Sequence, residues 1–366
     1  FAFQSLFINF LFRTEVISCE RQRVSQSNDK QIPESDLKLI NQLGFSTKGI
    51  IESDDYYIVE GDIGLIKNHL ENYLPKNQDL PSLKQAMAAT GILNPSNQTN
   101  ITVRVDNSIP TSGVDNWRTA VQSAITAWNG INDTRLSFTY TTSSTAMVTI
   151  RADGSPYTTL IDGMCALAEP PSGSGVISPI IYLNLDALSN RTFTEDEKIW
   201  TIAHELGHQV GMRHTNWADL SEGIGDAVLI SGTPDNDDIF SVFRGGVIGD
   251  WGDSWRRFTS YDSIAIQTIY PNMYVEISGP SYFGGDCPTA QTQYTATGYD
   301  GSGGTYTYHD WYISTGSGGY LNWSYQGNGQ SIYKSFNYDD YIKLRVMVTN
   351  GSDTAYGYRF INNICR

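Results

Sequence analysis

Residues 204–214, which read His-Glu-Leu-Gly-His-Gln-Val-Gly-Met-Arg-His, constrain this chain more than any other feature of its sequence. On a helix, His204 and His208 leave the same face about one turn apart, so both imidazoles can bind one metal ion. Gly211 can adopt the positive φ that ends a helix and turns the chain sharply. We therefore predict a helix that ends at a tight turn, after which His214 returns to the same metal.

Three imidazole ligands suit zinc and leave its fourth tetrahedral position open for water, which is typical of catalytic rather than structural sites. Glu205 follows the first ligand by one residue, so we expect it beside the metal, where it can exchange a proton with activated water. A solvated helix face is the alternative, but three of the five histidines fall within this segment. We expect the other two, His69 and His309, to be structural or surface residues.

The sequence around this segment predicts an α+β domain. Thr194-Glu-Asp-Glu197 forms a capping box that opens the histidine-bearing helix. A final helix is expected from about Tyr261 to Ile269. The earlier residues predict strand, helix and three further strands, at 101–105, 114–130, 136–140, 147–151 and 180–185.

Together these motifs resemble the metzincin clan of zinc metallopeptidases, and within it the bacterial dual-action HEIGH metallopeptidase family, with Leu206 in place of Ile. The resemblance implies a twisted mixed sheet with two main helices and a zinc cleft. It also implies one catalytic Zn²⁺ on the three histidines, Glu205 as general base, and protein or peptide substrates cleaved outside the cell. The resemblance covers about residues 36–271 and includes Leu43-Gly-Phe45, Val59-Glu-Gly-Asp-Ile63, Gly232-Thr-Pro234 and Phe258–Gln267.

The chain departs from the metzincin pattern at one position. Metzincins place a methionine in a turn beneath the metal, and here Phe243 occupies that position, with no methionine between Met212 and Met273. Phenylalanine is apolar but larger and flatter, so we expect it to affect activity more than zinc binding. Some metzincins add a tyrosine ligand two residues later. Gly245 stands there, so we predict three protein ligands.

A second interpretation is a catalytically weakened or inactive zinc protein that serves as an extracellular binding or adhesion module through its C-terminal domain. Phe243 supports that interpretation, whereas the intact ligand set and Glu205 argue against it. Metal content distinguishes the two.

We divide the 366 residues into five parts. Residues 1–19 have the features of a signal peptide whose Cys19 stands in a possible lipobox, although Arg13 and Glu15 interrupt it. Such a chain would be secreted or attached by lipid to a bacterial envelope. The other parts are a linker (20–35), a prodomain-like segment (36–98) that either shields the active site or is only structural, the catalytic domain (99–271) and a C-terminal domain (272–366).

The C-terminal domain is predicted to be an immunoglobulin-like β-sandwich. Short strands recur about every ten residues between Gly/Ser/Asn turns, around the buried-type Trp311. We favour a spacer or adhesion module over a glycan or peptide platform, which the aromatic side chains would supply. The strands are expected at 275–280, 292–297, 305–313, 319–325 and 342–348, and the platform residues would be Trp311, Tyr312, Tyr320, Trp323 and Tyr325.

Charge and cysteine content add further limits. The 39 acidic against 24 basic residues give a net charge of −15, which disfavours a nucleic-acid partner. We expect a monomer.

Residues 235–238, Asp-Asn-Asp-Asp, could hold Ca²⁺, but a solvated loop is favoured because the EF-hand spacing is absent. If Cys19 carries lipid, Cys287 and Cys365 are the expected disulfide pair and Cys165 is left without a partner. We then expect Cys165 to be a small buried hydrophobic residue rather than a catalytic or switch thiol.

Overall fold

The computed structural model describes most of the chain from residue 32 onward. No helix in these parts combines the length and the apolarity that a membrane crossing requires. The described residues are 32–74, 91–154, 159–160, 163–188, 192–216, 230, 232–234, 238–246, 257–279, 282–285, 292–299, 306–315, 323–334, 341–350 and 354–365.

The first described residues form a small unit with its own apolar core. Its elements are helix α1 (Glu34–Gln42), strands β1 (Ile51–Glu52), β2 (Tyr56–Val59) and β3 (Ile63–Ile66), and a 3₁₀ segment (Lys67–Tyr73). The sequence pattern of residues 65–74 favours a helix, as does that of residues 83–89. Instead Ile63-Gly-Leu-Ile66 pairs with β2 as a hairpin. Only the residues that follow it are helical, as the 3₁₀ segment. The helix expected at 83–89 lies outside the described residues.

The middle of the chain follows the predicted order of elements. It contains β4 (Ile101–Val105), α2 (Arg118–Asn129), β5 (Phe138–Tyr140), β6 (Val148–Ala152), β7 (Ala166–Ala168), β8 (Ile180–Leu183), α3 (Glu195–Gln209) and α4 (Ser260–Ile269). Helix α2 begins later than expected because a turn that ends at Asn116 precedes it. Strand β7 was not predicted, since three residues are too few to show an alternating pattern.

One eight-stranded sheet runs through both parts, in the order β1-β2-β3-β7-β8-β6-β4-β5. Strands β4, β5, β6 and β8 are parallel, β7 is antiparallel to β8, and β3 joins β7 through the single pair Ile63 and Ala168. Helix α2 packs on α3, where the Trp128 indole N–H donates to the Ala203 carbonyl at 3.2 Å. The N-terminal hairpin is therefore an extension of the sheet that carries the histidine helix.

The C-terminal residues form two sheets that enclose one core. Trp311 is fully buried between them, and its indole N–H donates to Gly329 O at 2.7 Å. Strands β10, β14 and β16 were not predicted. The sheets are β10-β16-β15-β12-β13 and β14-β11-β9, built from β9 (Tyr274–Ser278), β10 (Tyr282–Gly285), β11 (Thr292–Tyr299), β12 (Thr307–Thr315), β13 (Trp323–Asn328), β14 (Ser331–Lys334), β15 (Tyr341–Thr349) and β16 (Thr354–Cys365).

Two expectations about this domain stay predictions. Its immunoglobulin-like topology is one. The aromatic platform is the other: Tyr325 is largely exposed and its ring contacts that of Tyr312 edge-on, but the side chains of Tyr320 and Trp323 are not described.

The cysteine assignment needs one correction. Cys165 is disulfide-bonded, so the expectation of a buried cysteine without a partner is wrong. Its partner lies outside the residues whose side chains are described. A half-cystine and a buried thiol are both small and apolar, so composition could not separate them. The pairing of Cys287 with Cys365 stays a prediction, since Cys287 is also outside the described residues.

Candidate metal centre

Helix α3 presents the first two histidines from within the protein. The predicted capping box is present: the Thr194 N–H donates to Glu197 Oε2 at 2.8 Å, and the Glu197 N–H donates to the Thr194 hydroxyl at 3.3 Å. His204 and His208 are each 1% exposed. The Trp200 ring stacks on that of His204, with 4.8 Å between their centres. The helix is thus anchored at its start and buried where it carries the ligands.

The third histidine returns through the turn that the sequence predicted. Gly211 has φ +89°, and its neighbour Met212 donates its N–H to Gly207 O at 2.9 Å. A Cβ on Gly211 would lie 2.8 Å from Gly91 O, so space as well as φ requires glycine here. The turn places His214 against the other two histidines.

The ligand atoms of the three histidines converge. His204 Nε2 lies 3.0 Å from His208 Nε2 and 3.3 Å from His214 Nε2. Four ligand atoms about 2.0–2.1 Å from a tetrahedral zinc are separated by about 3.3 Å. The three nitrogens therefore fit three corners of a zinc site.

A carboxylate occupies the fourth corner. Asp62 Oδ1 lies 3.1 Å from His214 Nε2 and 3.4 Å from His208 Nε2, and Oδ2 lies 3.4 Å from His204 Nε2. These four side chains form a cluster that could hold a metal ion. The sequence led us to expect an open position for water, and Asp62 was not singled out. Its place in the chain, far from the histidine segment, gave no spacing signal.

Hydrogen bonds fix the tautomers of two ligands. The His204 Nδ1–H donates to Val242 O at 2.7 Å, and the His208 Nδ1–H donates to Met212 O at 2.9 Å. Carbonyl oxygens only accept, so both imidazoles carry their proton on Nδ1 and direct the Nε2 lone pair at the cluster. That is the form in which imidazole binds a metal.

The protonation states also favour a cation. Burial, together with His208, lowers the pKa of His204 to about 4, so that ring is neutral near pH 7. Burial favours the neutral form of Asp62, but the facing histidines outweigh it and hold the pKa of that carboxyl well below its usual range. Burial and the Asp62 charge raise the pKa of Glu205. Buried Asp62 Oδ1 and Glu205 Oε2 lack hydrogen-bond partners among the described residues, as acceptors beside a metal do.

A turn at residues 241–243 lies beneath the ligands and is held by a buried carboxylate. Asp262 accepts the Ser241 hydroxyl at 2.5 Å and the Val242 N–H at 3.1 Å, and Val242 O is the acceptor for His204. Burial raises the pKa of Asp262 to about 6. Sequence reasoning missed this residue, although Thr259 and Asp262 form a capping box that the sequence shows.

Phe243 lies against the histidine helix at Gly207. It is buried, and its ring packs beside those of Trp128 and Phe258, each 6.0 Å away between centres. The space that a Cβ on Gly207 would need is occupied by this ring. Glycine between the two helical ligands therefore lets the aromatic floor approach the helix backbone.

This contact predicts an unusual result for Gly207→Ala. Alanine normally stabilises a helix interior by about 1 kcal/mol over glycine. Here we expect a loss of about 1–3 kcal/mol, because the methyl group overpacks against Phe243. Urea unfolding measures the change. The double variant Gly207→Ala/Phe243→Leu should recover part of it, and a stabilised single variant would contradict the contact.

Gly245 supports the third ligand instead of providing a fourth. A Cβ on Gly245 would lie 2.5 Å from His214 Nδ1, so its backbone lies on the imidazole. The Asn216 side chain holds it there, donating to Gly245 O at 2.9 Å and accepting its N–H at 2.8 Å. Asn216 was also missed, because a single amide in a loop carries no spacing signal.

The remaining candidate residues lie apart from this cluster. His69 is exposed and His309 contacts Thr349 Oγ1 at 3.0 Å, which confirms both as surface or structural residues. Asp238 accepts the Thr259 hydroxyl at 2.8 Å. The rest of the proposed calcium run, 235–237, lies outside the described residues.

Comparison with known proteins identifies one family. The model of the dual-action HEIGH metallo-peptidase family matches residues 57–270, more than half of the chain. No curated protein matches. Two structures of myroilysin, 15% and 16% identical, cover 57% and 50% of this chain and 98% of their own, each with a TM-score of 0.31. The PKD domain from human KIAA0319, 17% identical, covers 25% of this chain and 82% of its own, with a TM-score of 0.19.

Proposed function

Because this chain belongs to the dual-action HEIGH metallo-peptidase family, we propose that it is a metzincin-type zinc endopeptidase that cleaves internal peptide bonds of protein substrates. Zinc metallopeptidase is the activity that the family implies. The observation that supports the finer proposal is the buried set of three Nε2 atoms at tetrahedral spacing, with Glu205 beside them on the same helix.

Each residue of the centre has a defined task in this proposal. His204, His208 and His214 hold the metal through Nε2. A zinc ion bound there would supply Lewis acidity. Glu205 accepts a proton from the attacking water and returns it to the leaving amine. Phe243 and the 241–243 turn hold the ligands from below, so the aromatic floor replaces the methionine of other metzincins.

Metal removal provides the test. We expect casein hydrolysis, measured on the wild-type chain and on its most active variant, to be lost in a chelator such as 1,10-phenanthroline and to return when zinc is added back, because the histidines alone supply no Lewis acid. Fluorescent casein measures the rate, and elemental analysis counts zinc, which should be about one per chain. Cleavage that persists after zinc is removed would refute the proposal.

The alternative is a zinc-poor or inactive protein that acts through its C-terminal domain. Zinc content far below one per chain would favour it. The buried position of Phe243 does not favour this alternative, because the three histidine nitrogens above it keep tetrahedral spacing.

We also propose that the chain acts outside the cytoplasm. The disulfide at Cys165 supports this, since disulfides persist in oxidising compartments. The expected signal peptide and the lipid on Cys19 fall on residues that the structure does not describe, and both stay proposals. So does the monomeric state.

A further inference from the structure

The hairpin of β2 and β3 places a carboxylate on the metal centre through an unusual turn. Glu60 and Gly61 have φ values of +54° and +100°, so two successive residues adopt conformations that favour glycine. The next residue, Asp62, directs its carboxylate at the three imidazoles. Glu60 therefore adopts a left-handed backbone conformation, unfavourable for a non-glycine residue, where the hairpin meets the site.

A buried ion pair fixes that turn to the third-ligand loop. The Arg213 Nε–H donates to Glu60 Oε2 at 2.9 Å, and Nη2 contacts the other oxygen of the same carboxylate. Arg213 Nη1–H also donates to Gly44 O at 3.1 Å, and its guanidinium lies 4.8 Å from the centre of the Phe45 ring. Arg213 immediately precedes His214, so the turn and the third ligand are held together.

The same segment covers the sheet edge beside the site. The Ala168 N–H donates to Asp62 O at 3.2 Å, where β3 meets β7. The next residue, Glu169, accepts the hydroxyls of Tyr56 and Tyr73 at 2.8 and 2.9 Å. Strand β7 would be the edge of the catalytic sheet without the hairpin, and an exposed edge can take an extended peptide as a further strand.

The segment has an apolar core separate from that of the catalytic sheet. This core lies on one face of the hairpin, while Tyr56 and Ile58 of the same hairpin share a second apolar cluster with β7 and β8. The residues of the separate core are Ile40, Leu43, Phe45, Tyr57, Val59, Ile63, Leu65, Leu70 and Tyr73.

We propose that Asp62 is a fourth protein ligand of the metal and that it keeps the peptidase latent until the hairpin turn leaves the site. This rests on the proposed function. A site with four protein ligands is closed in the manner of structural zinc, whereas catalysis needs one position free for water. The carboxylate holds that position, and β3 covers the edge where an extended substrate would bind. Activation therefore consists of moving residues 60–62, after which the three histidines retain the metal.

The test measures access to the metal without using turnover. Co²⁺ replaces zinc in the full chain, and acetohydroxamate, a small bidentate metal ligand, is titrated while the visible spectrum is recorded. We expect little response in the wild type. Asp62→Ala should bind acetohydroxamate about 10- to 100-fold more tightly, because the competing carboxylate is gone. Asp62→Asn, which keeps the size of the side chain, should lie between them.

Asp54→Ala is the matched control. Asp54 is an exposed carboxylate in the turn between β1 and β2, and we expect this variant to respond as the wild type does. Thermal unfolding verifies that each variant is folded. Equal acetohydroxamate affinity in the wild type, Asp62→Ala and Asp62→Asn would overturn the proposal.

A parallel casein assay separates this inference from the proposed function. Faster cleavage by Asp62→Ala than by the wild type supports both. Tighter acetohydroxamate binding without any cleavage would uphold Asp62 as the ligand and refute the peptidase. Cleavage by the wild type at the rate of Asp62→Ala, with unchanged acetohydroxamate affinity, would refute the latency alone.

Discussion

Replacing Arg213 with methionine should lower the free energy of unfolding by about 3–5 kcal/mol, because it leaves Glu60 as an uncompensated buried charge. The two side chains are 2% and 0% exposed, so solvent screens the pair very little. Methionine keeps much of the length of arginine and its contact with Phe45, so the loss reports mainly the charge. Urea unfolding measures it.

The double variant Glu60→Gln/Arg213→Met provides the control. Removing both charges leaves no ion to bury, and we expect most of the loss to be recovered, since neutral replacements of buried ion pairs are often well tolerated. A single variant that loses less than about 1 kcal/mol would show that the pair behaves as an exposed one. If the double variant recovered none of the lost stability, the loss would be due to packing rather than to the buried charge.

The convergence of the three histidines could be predicted because helix geometry fixes it locally. His204 and His208 share a face at four-residue spacing, and only Gly211 permits the turn that returns His214. The capping box of α3 follows from neighbouring residues in the same way. The strands between residues 101 and 185 were also predicted from alternation, apart from the three residues of β7, whereas β1 and β3 were not predicted.

The other parts of the site depend on contacts between distant segments. Asp62, Asp262 and Asn216 reach the centre only through the folded sheet and loops. The capping box of α4 includes Asp262, but no local pattern shows which distant loop the three side chains contact. The bond at Cys165 was missed for a related reason, since composition does not show which cysteines meet. The sequence therefore predicted how α3 and its turn bring the three histidines together, while the residues around them required the fold.

Glu205→Gln should reduce casein hydrolysis by about 10²- to 10⁴-fold while leaving zinc bound, because the amide cannot accept the proton from water. Glutamine matches glutamate in size, and the three imidazoles that hold the metal are unchanged. The assay is best made in the Asp62→Ala background, where we expect the site to be open, with zinc content measured on the same samples.

Glu195→Gln is the matched control for this change. Glu195 lies in the first turn of the same helix, its side chain is 46% exposed, and it pairs only with Lys198 at 3.7 Å among the described contacts. We expect this variant to keep full activity. If Glu205→Gln retained activity as well, the general base would have to be another group. If Glu205→Gln lost zinc along with activity, Glu205 would be needed to retain the metal, and its part in proton transfer would not be supported. Loss of activity with zinc retained is the outcome that assigns the proton transfer to Glu205.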